Sequence, residues 1–257
     1  MSSEIVLYVL LGFFALLFLC PILDLVFYIV SWLFIFVVTR FYSVKKTYER
    51  PSKFSHSLLI FGYRIICRMG RVKIHYTGKE LLPDGTFLFV SNHLSKFDNM
   101  VHSVVLKERN LAFVSKPENF KIPMGGRLIK RNCYISLLRG NGKSAIEMIG
   151  RTTELLKNDI CSIGIFPEGT RGNGEDLLPF KPGVLKIAER ASCPVVVGVT
   201  RNTQVIHKNW PIHKTHVYFD IVKVFSAEEV REKSSADLSA EIEALVREHF
   251  YKNGGLK

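Results

Sequence analysis

The chain has 257 residues, room for one sizeable domain and an appendage, with 47% hydrophobic residues and a mean hydropathy of +0.16. That is too polar for a polytopic membrane protein and too apolar for a uniformly soluble one, so the apolar excess must be local. The formal charge of +12 and the pI near 9.5 point to an anionic partner: nucleic acid, a membrane surface or a charged substrate.

The excess sits at the N-terminus. Between Ile5 and Thr39 the only charge is Asp24. The uncharged run 5–23 would span about 28 Å as a helix, close to the ~30 Å hydrocarbon thickness, and 25–39 adds a shorter piece. The start Met1-Ser2-Ser3-Glu4 has no basic region and no small-residue cleavage site precedes Arg40, so a signal peptide fits poorly. Either one long helix spans with a bend, or two helices form a hairpin turning near Pro21 and Asp24. The cost of Asp24 near the middle of a single helix favours the hairpin. Residues 1–53 are thus expected to form a membrane anchor and basic juxtamembrane segment, and 54–257 the folded domain.

Arg40, Lys45, Lys46, Arg50 and Lys53 follow the apolar run directly. Such residues gain about 1 kcal/mol each beside an anionic leaflet, and the positive-inside bias puts the domain on the cytoplasmic side. No reading helix, zinc module or basic–aromatic sheet motif speaks for nucleic acid. Membrane lipids are the expected partners.

Residues 54–69 carry apolar side chains at helical spacing with Arg64 and Arg68 opposite, which predicts an amphipathic helix at the membrane interface. Strands are expected at 72–76, 87–90, 111–115, 162–166, 194–199 and 217–224, and helices at 98–106, 144–156 and 183–190. Ser234 and Asp237 form a capping-box signal for a last helix to Phe250. This alternation predicts an α/β domain, a mixed sheet flanked by helices, with sites at strand ends. Cys20, Cys67, Cys133, Cys161 and Cys193 are odd in number, widely spaced and mostly in apolar runs, so buried reduced thiols are expected and no metal site.

Two strand-end loops carry the chemistry. In Asn92-His93-Leu94-Ser95-Lys96-Phe97-Asp98, a loop turning into a helix lets an imidazole meet a carboxylate. A neutral imidazole suits proton removal from an alcohol, and the carboxylate fixes its tautomer. Alone, the pair is equally well a helix cap. The second loop, Phe166-Pro167-Glu168-Gly169-Thr170-Arg171, follows a buried strand and presents an arginine fork suited to phosphate. A base and an anion clamp at two strand ends are a more specific combination than either alone.

These two motifs, in this order, resemble the signatures of the glycerol-3-phosphate and 1-acylglycerol-3-phosphate acyltransferases, Asn-His-x4-Asp and Phe-Pro-Glu-Gly-Thr-Arg. The resemblance runs from about Gly78 to Val199. A third family block aligns with 132–139, keeping its apolar pattern and Arg139, and a fourth with 193–199, where Gly198 replaces a frequent proline. The resemblance implies acyl transfer from a thioester to the free hydroxyl of 1-acyl-glycerol-3-phosphate, giving phosphatidic acid without an acyl-enzyme. It implies His93 as general base and Asp98 as its partner. Arg139 and Arg171 would hold the acceptor phosphate, Glu168 would orient Arg171 or an acceptor hydroxyl, and Gly169 and Thr170 would shape the loop. Lys116 matches a family lysine near the site, though a solvated lysine reads equally well. Acyl-CoA or acyl carrier protein would be the co-substrate, with no bound cofactor. Glycerol-3-phosphate or another lysolipid is the alternative acceptor, and a non-catalytic membrane-anchored lipid binder the alternative from a different class. His75, His102, His207, His213 and His216 have no comparable context and read as surface or structural residues.

Overall fold

The computed structural model describes residues 3–172 and 176–254. The chain divides into two compact units, Met1–Tyr42 and Ser43–Lys257. The first is a single helix, α1 (Ser3–Arg40), which continues through Pro21 and Asp24 rather than turning back as a hairpin. Proline removes one intrahelical hydrogen bond, whereas a turn in this apolar stretch would leave several backbone groups without partners. Within α1, Leu19–Arg40 is long and apolar enough to cross a membrane. Leu23, Leu25, Ile29 and Val30 all stand exposed on it.

The second unit begins with α2 (Lys53–Met69), capped by Ser52, whose hydroxyl accepts from the Ser55 N–H. Leu58, Leu59, Tyr63 and Ile65 are buried, so much of the apolar stripe that suggested a membrane interface belongs to the protein core. The Tyr63 hydroxyl lies 3.2 Å from that of Tyr134, and His56 Nε2 bonds the Lys107 carbonyl at 2.8 Å.

Next come β1 (Val72–Thr77), β2 (Leu88–Ser91), α3 (Asp98–Val105), β3 (Leu111–Ser115), α4 (Gly125–Arg131) and β4 (Ile135–Ser136). The chain continues through α5 (Gly142–Lys157), β5 (Ser162–Ile165), α6 (Lys186–Ala191), β6 (Val195–Arg201) and α7 (Ile206–Asn209). It ends with β7 (Thr215–Phe225), α8 (Ala227–Glu232) and α9 (Ser235–Lys252). The strands form one sheet in the order β1-β7-β6-β2-β5-β3-β4.

Strands β6, β2, β5, β3 and β4 run parallel; β7 is antiparallel to β6 and β1 parallel to β7. Every residue of β2, β5 and β6 is buried, as continuous apolar runs in a covered parallel sheet require. Two glycines let aromatic rings lie against the strands. A Cβ on Gly164 would come within 2.3 Å of the Phe113 ring, and one on Gly198 within 2.7 Å of Phe89 and 2.8 Å of Phe219. The carboxyl ends of all five parallel strands meet one edge, where an α/β sheet places its site.

Candidate active site

His93 is the second residue after β2, and Asp98 is the first residue of α3. The intervening loop folds back so that Asp98 Oδ2 accepts from the backbone N–H groups of Leu94 at 2.7 Å and Ser95 at 2.8 Å. The same oxygen lies 2.8 Å from His93 Nδ1. A carboxylate only accepts, so Nδ1 is the donor and the Nε2 lone pair is left for another proton. Among the described residues Nε2 has no hydrogen-bond partner. The second Asp98 oxygen accepts from the Thr203 hydroxyl, beyond the end of β6. Asp98 is fully buried with all these donors around it.

The back of the site is aromatic. The His93 imidazole stacks on Phe166, the residue after β5, with centroids 4.1 Å apart and planes within 10°. Behind it His102, one helical turn after Asp98 on α3, is enclosed by Phe89 at 4.9 Å, Phe219 at 4.7 Å and Phe166 at 5.8 Å. Burial lowers the His102 pKa to about 3 and outweighs the pull of Asp98 upward, so this imidazole is neutral. Its Nε2 lies 2.6 Å from the Thr200 hydroxyl.

Asn92 ties β2 to β6. Its side chain donates to the Thr200 carbonyl at 2.9 Å and accepts from the Thr200 N–H at 2.8 Å.

The loop after β5 approaches from the other side. Glu168 is 2% exposed, and its two oxygens accept from the backbone N–H groups of His93 at 2.7 Å and Leu178 at 3.0 Å. The carboxylate expected to orient Arg171 or an acceptor hydroxyl thus grips the backbone of the histidine. Burial pushes its pKa up to about 7, with those two N–H donors acting in the opposite direction. Gly169 has φ +73°, and a Cβ there would sit 2.9 Å from Lys181 Nζ. Glycine suits both the left-handed turn and the approach of the lysine. Thr170 and Arg171 are exposed beyond it, and the Gly172 N–H returns to the His93 carbonyl at 3.4 Å.

Arg139 follows β4 on the same sheet edge. Partial burial of its guanidinium comes first in lowering its pKa, and the like charge of Arg171 adds to it, with Glu118 opposing. The two arginines therefore share a local field and would gain from an anion between them. Lys116 stands exposed just past β3, its ammonium without a partner among the described residues.

All eight residues singled out by sequence thus lie at or just beyond strand ends on one edge of the sheet. Thr200, Thr203 and Lys181 carried no signal in the sequence. His102, read as a surface or structural residue, is buried behind the site, four positions after Asp98 and so on the same helical face. Burial holds the Cys67 and Cys161 thiols up at about 12 and those of Cys133 and Cys193 at about 11, so these four are protonated and poor nucleophiles at neutral pH. Among the described residues no cluster of three or more His, Cys, Asp or Glu is placed to hold a metal ion.

Residues 73–199 match the family model described as Acyltransferase. A chloroplastic 1-acyl-sn-glycerol-3-phosphate acyltransferase of Brassica napus is 34% identical over 126 residues, covering 48% of this chain and 36% of that protein. The 1-acyl-sn-glycerol-3-phosphate acyltransferase of Salmonella typhimurium is 29% identical over 144 residues, 56% of this chain and 55% of that one. The aligned part therefore spans from about a third to just over half the length of these two relatives. The Escherichia coli enzyme of the same name aligns at 25% identity over 74% of both chains. The crystal structure of the 1-acyl-sn-glycerophosphate acyltransferase PlsC from Thermotoga maritima shares the fold. Its TM-score is 0.61 at 22% identity, over 86% of this chain and 95% of that one.

Proposed function

The chain belongs to the acyltransferase family that includes the 1-acyl-sn-glycerol-3-phosphate acyltransferases, and on that premise we propose that it acylates the free hydroxyl of 1-acyl-glycerol-3-phosphate. The product is phosphatidic acid, and the donor is an acyl thioester, acyl-CoA or acyl carrier protein. The observation that carries the reading is the 2.8 Å contact of His93 Nδ1 with Asp98 Oδ2, which leaves Nε2 as the basic nitrogen at the strand-end edge.

The reaction runs at the strand-end edge. His93 Nε2 takes the proton of the acceptor hydroxyl as its oxygen attacks the thioester carbonyl. Asp98 stabilises the imidazolium that forms, and Phe166 keeps the ring from rotating away. The tetrahedral intermediate expels the thiolate, which recovers the proton from the imidazolium. Arg139 and Arg171 hold the acceptor phosphate, with Lys116 at the margin of the same positive field. Glu168, Gly169 and Thr170 give the anion loop its shape. Membrane attachment by α1 would bring the chain to a bilayer-resident acceptor, with the catalytic unit on the cytoplasmic side.

The test is the purified full-length protein with lysophosphatidate and each of the two donors, read by mass analysis of the lipid and by release of free thiol. Phosphatidate should form, and His93→Ala should abolish it. A folded His93→Ala variant with near-normal turnover would refute the mechanism. A panel of glycerol-3-phosphate and other lysolipids identifies the acceptor, and unaltered thioester with every acceptor would leave a lipid binder in place of an enzyme.

A further inference from the structure

A second cationic feature lies outside the His93 site. A groove of about 620 Å³ runs between the C-terminal half of α2 and the start of β1. Arg64, Arg71, Lys73 and Lys214 line it together with Arg68, over a floor that includes Cys67, Val72 and Val104. No acidic residue lines it, and Arg64, Arg71, Lys73 and Lys214 have no acidic partner among the described residues. Like charges converging on one groove cost energy that an anion would offset.

The backbone there is also strained. Arg71, in the tight connection from α2 to β1, has φ +53°, a left-handed conformation that suits glycine far better than arginine. The side chain is kept at the groove in spite of that cost.

The loop after α7, which leads to Lys214, is apolar and exposed. Trp210 donates its indole N–H to the Met69 carbonyl at 3.0 Å, which fixes the loop after α7 against the end of α2. Trp210 is 57% exposed, and Ile212, two residues before Lys214, is 73% exposed. An indole and a branched aliphatic side chain beside unpaired cations match the interfacial zone of a bilayer, where Trp sits at headgroup level and basic groups meet phosphates.

The groove also sits at the right end of the sheet. Val72 pairs with Thr215 at the start of β7, and Tyr218 of β7 pairs with Arg201 at the carboxyl end of β6. The groove, at the start of β1, therefore lies at the same sheet edge as His93.

We propose that this groove docks residues 43–257 on an anionic membrane surface, taking the phosphate of a phospholipid headgroup among Arg71, Lys73 and Lys214 while Trp210 and Ile212 enter the headgroup boundary. The site is separate from the acceptor site and does not depend on the acyl-transfer reading. Its consequence is orientation, with the catalytic edge held facing the layer in which its lipid substrate moves.

The chain has two tryptophans, Trp32 and Trp210, so Trp32→Phe leaves Trp210 as the sole indole reporter. The full-length protein in this background is placed in nanodiscs of phosphatidylcholine, with or without phosphatidylglycerol, containing brominated phospholipids. Trp210 should be quenched and shifted to shorter wavelength only in the anionic discs. Reversing Arg71, Lys73 and Lys214 to Glu should abolish both signals, and Ile212→Asp should weaken them with the cations in place. Reversals of the exposed Lys73 and Lys214 singly give the same reading in smaller steps should the triple variant not fold. His93→Ala should change nothing, which separates this result from the fate of the catalytic reading. Equal quenching in neutral discs, or full quenching in the folded triple variant, would overturn the proposal. So would loss of the signal to glycerol phosphate at constant ionic strength, because a free phosphate would then be the groove's ligand.

Discussion

Glu168 holds His93 by its main-chain N–H, at 2.7 Å, so the acid of one sequence motif sets the position of the base in the other. With the Leu178 N–H on its second oxygen, the buried carboxylate braces the ends of β2 and β5 and the return of the anion loop. Asp98 braces the same histidine from the side-chain end. His93 is thus fixed at both its backbone and its ring, which an imidazole needs if it is to meet a hydroxyl in one defined geometry.

Removing the brace should reduce turnover without removing the base. Glu168→Ala leaves two N–H groups unpaired in a buried place, at about 1–3 kcal/mol each. The same change frees the His93 loop, and misplacement of a reacting group by about 1 Å can cost 10²-fold. Glu168→Gln keeps one acceptor and should fall between wild type and Glu168→Ala in kcat, with KM for the acceptor less affected. Steady-state kinetics on both variants, with thermal midpoints, check this. A kcat unchanged in Glu168→Ala would show that the brace is dispensable.

Two buried groups give opposite pH dependences of stability. Glu168, raised by burial from 4.5 to about 7, keeps its proton in the folded protein where the unfolded chain has lost it. Its contribution is complete below pH 4.5 and is lost as pH rises to about 7. His102, lowered by burial from 6.5 to about 3, is neutral when folded, so its contribution is complete above pH 6.5 and is lost as pH falls toward 3. Each slope is up to about 1.4 kcal/mol per pH unit, and between 4.5 and 6.5 they cancel. Glu168→Gln should therefore make stability rise with pH across that window. Denaturant midpoints at several pH values decide it, and a slope no different from wild type would contradict the assignment.

The parts of this arrangement that a sequence can show are those written in local patterns. Continuous apolar runs marked β2, β5 and β6, and His93, Asp98 and Arg171 followed from loops directly after such runs. The two-residue strand β4 and the short α4 escaped because neither is long enough to establish a period. The brace from Glu168 to the His93 N–H, and the Thr203 hydroxyl on Asp98, join segments far apart in the chain and exist only once the strands are side by side. Residues 54–69 are legible as an amphipathic helix, but not in what the apolar face meets. An amphipathic stripe has the same period whether it faces lipid or protein, and Leu58, Leu59 and Tyr63 proved to face the core.

The Asp98 carboxylate should be sensitive in steps. Asp98→Asn presents an amide where the ring N–H and two backbone N–H groups need an acceptor, and it can favour the wrong imidazole tautomer. General-base catalysis is worth about 10²–10⁴-fold, and most of it should be lost from kcat. Thr203→Val removes only the donor to the other oxygen and should cost roughly tenfold, the low end of the about 1.5–3 kcal/mol of one hydrogen bond to a charged group. An Asp98→Asn variant as active as wild type, or Thr203→Val as damaging as Asp98→Asn, would contradict this order.

The arginine pair makes a prediction about the acceptor rather than the base. Arg139 and Arg171 repel each other in the free protein, and a phosphate between them replaces that repulsion with charge-assisted hydrogen bonds of about 1.5–3 kcal/mol each. Losing either arginine should raise KM for lysophosphatidate by about 10–100-fold while kcat changes less, since the phosphate is held alike in ground and transition states. Lysine should rescue Arg171 only in part, because an ammonium lacks the planar fork. The double variant should cost less than the two single losses combined, because each single loss also relieves the repulsion on its neighbour. A monoacylglycerol acceptor, which has no phosphate, supplies the control. Its slow acylation should not fall in either variant, and an equal loss on both acceptors would move the arginines from phosphate binding to a general structural role.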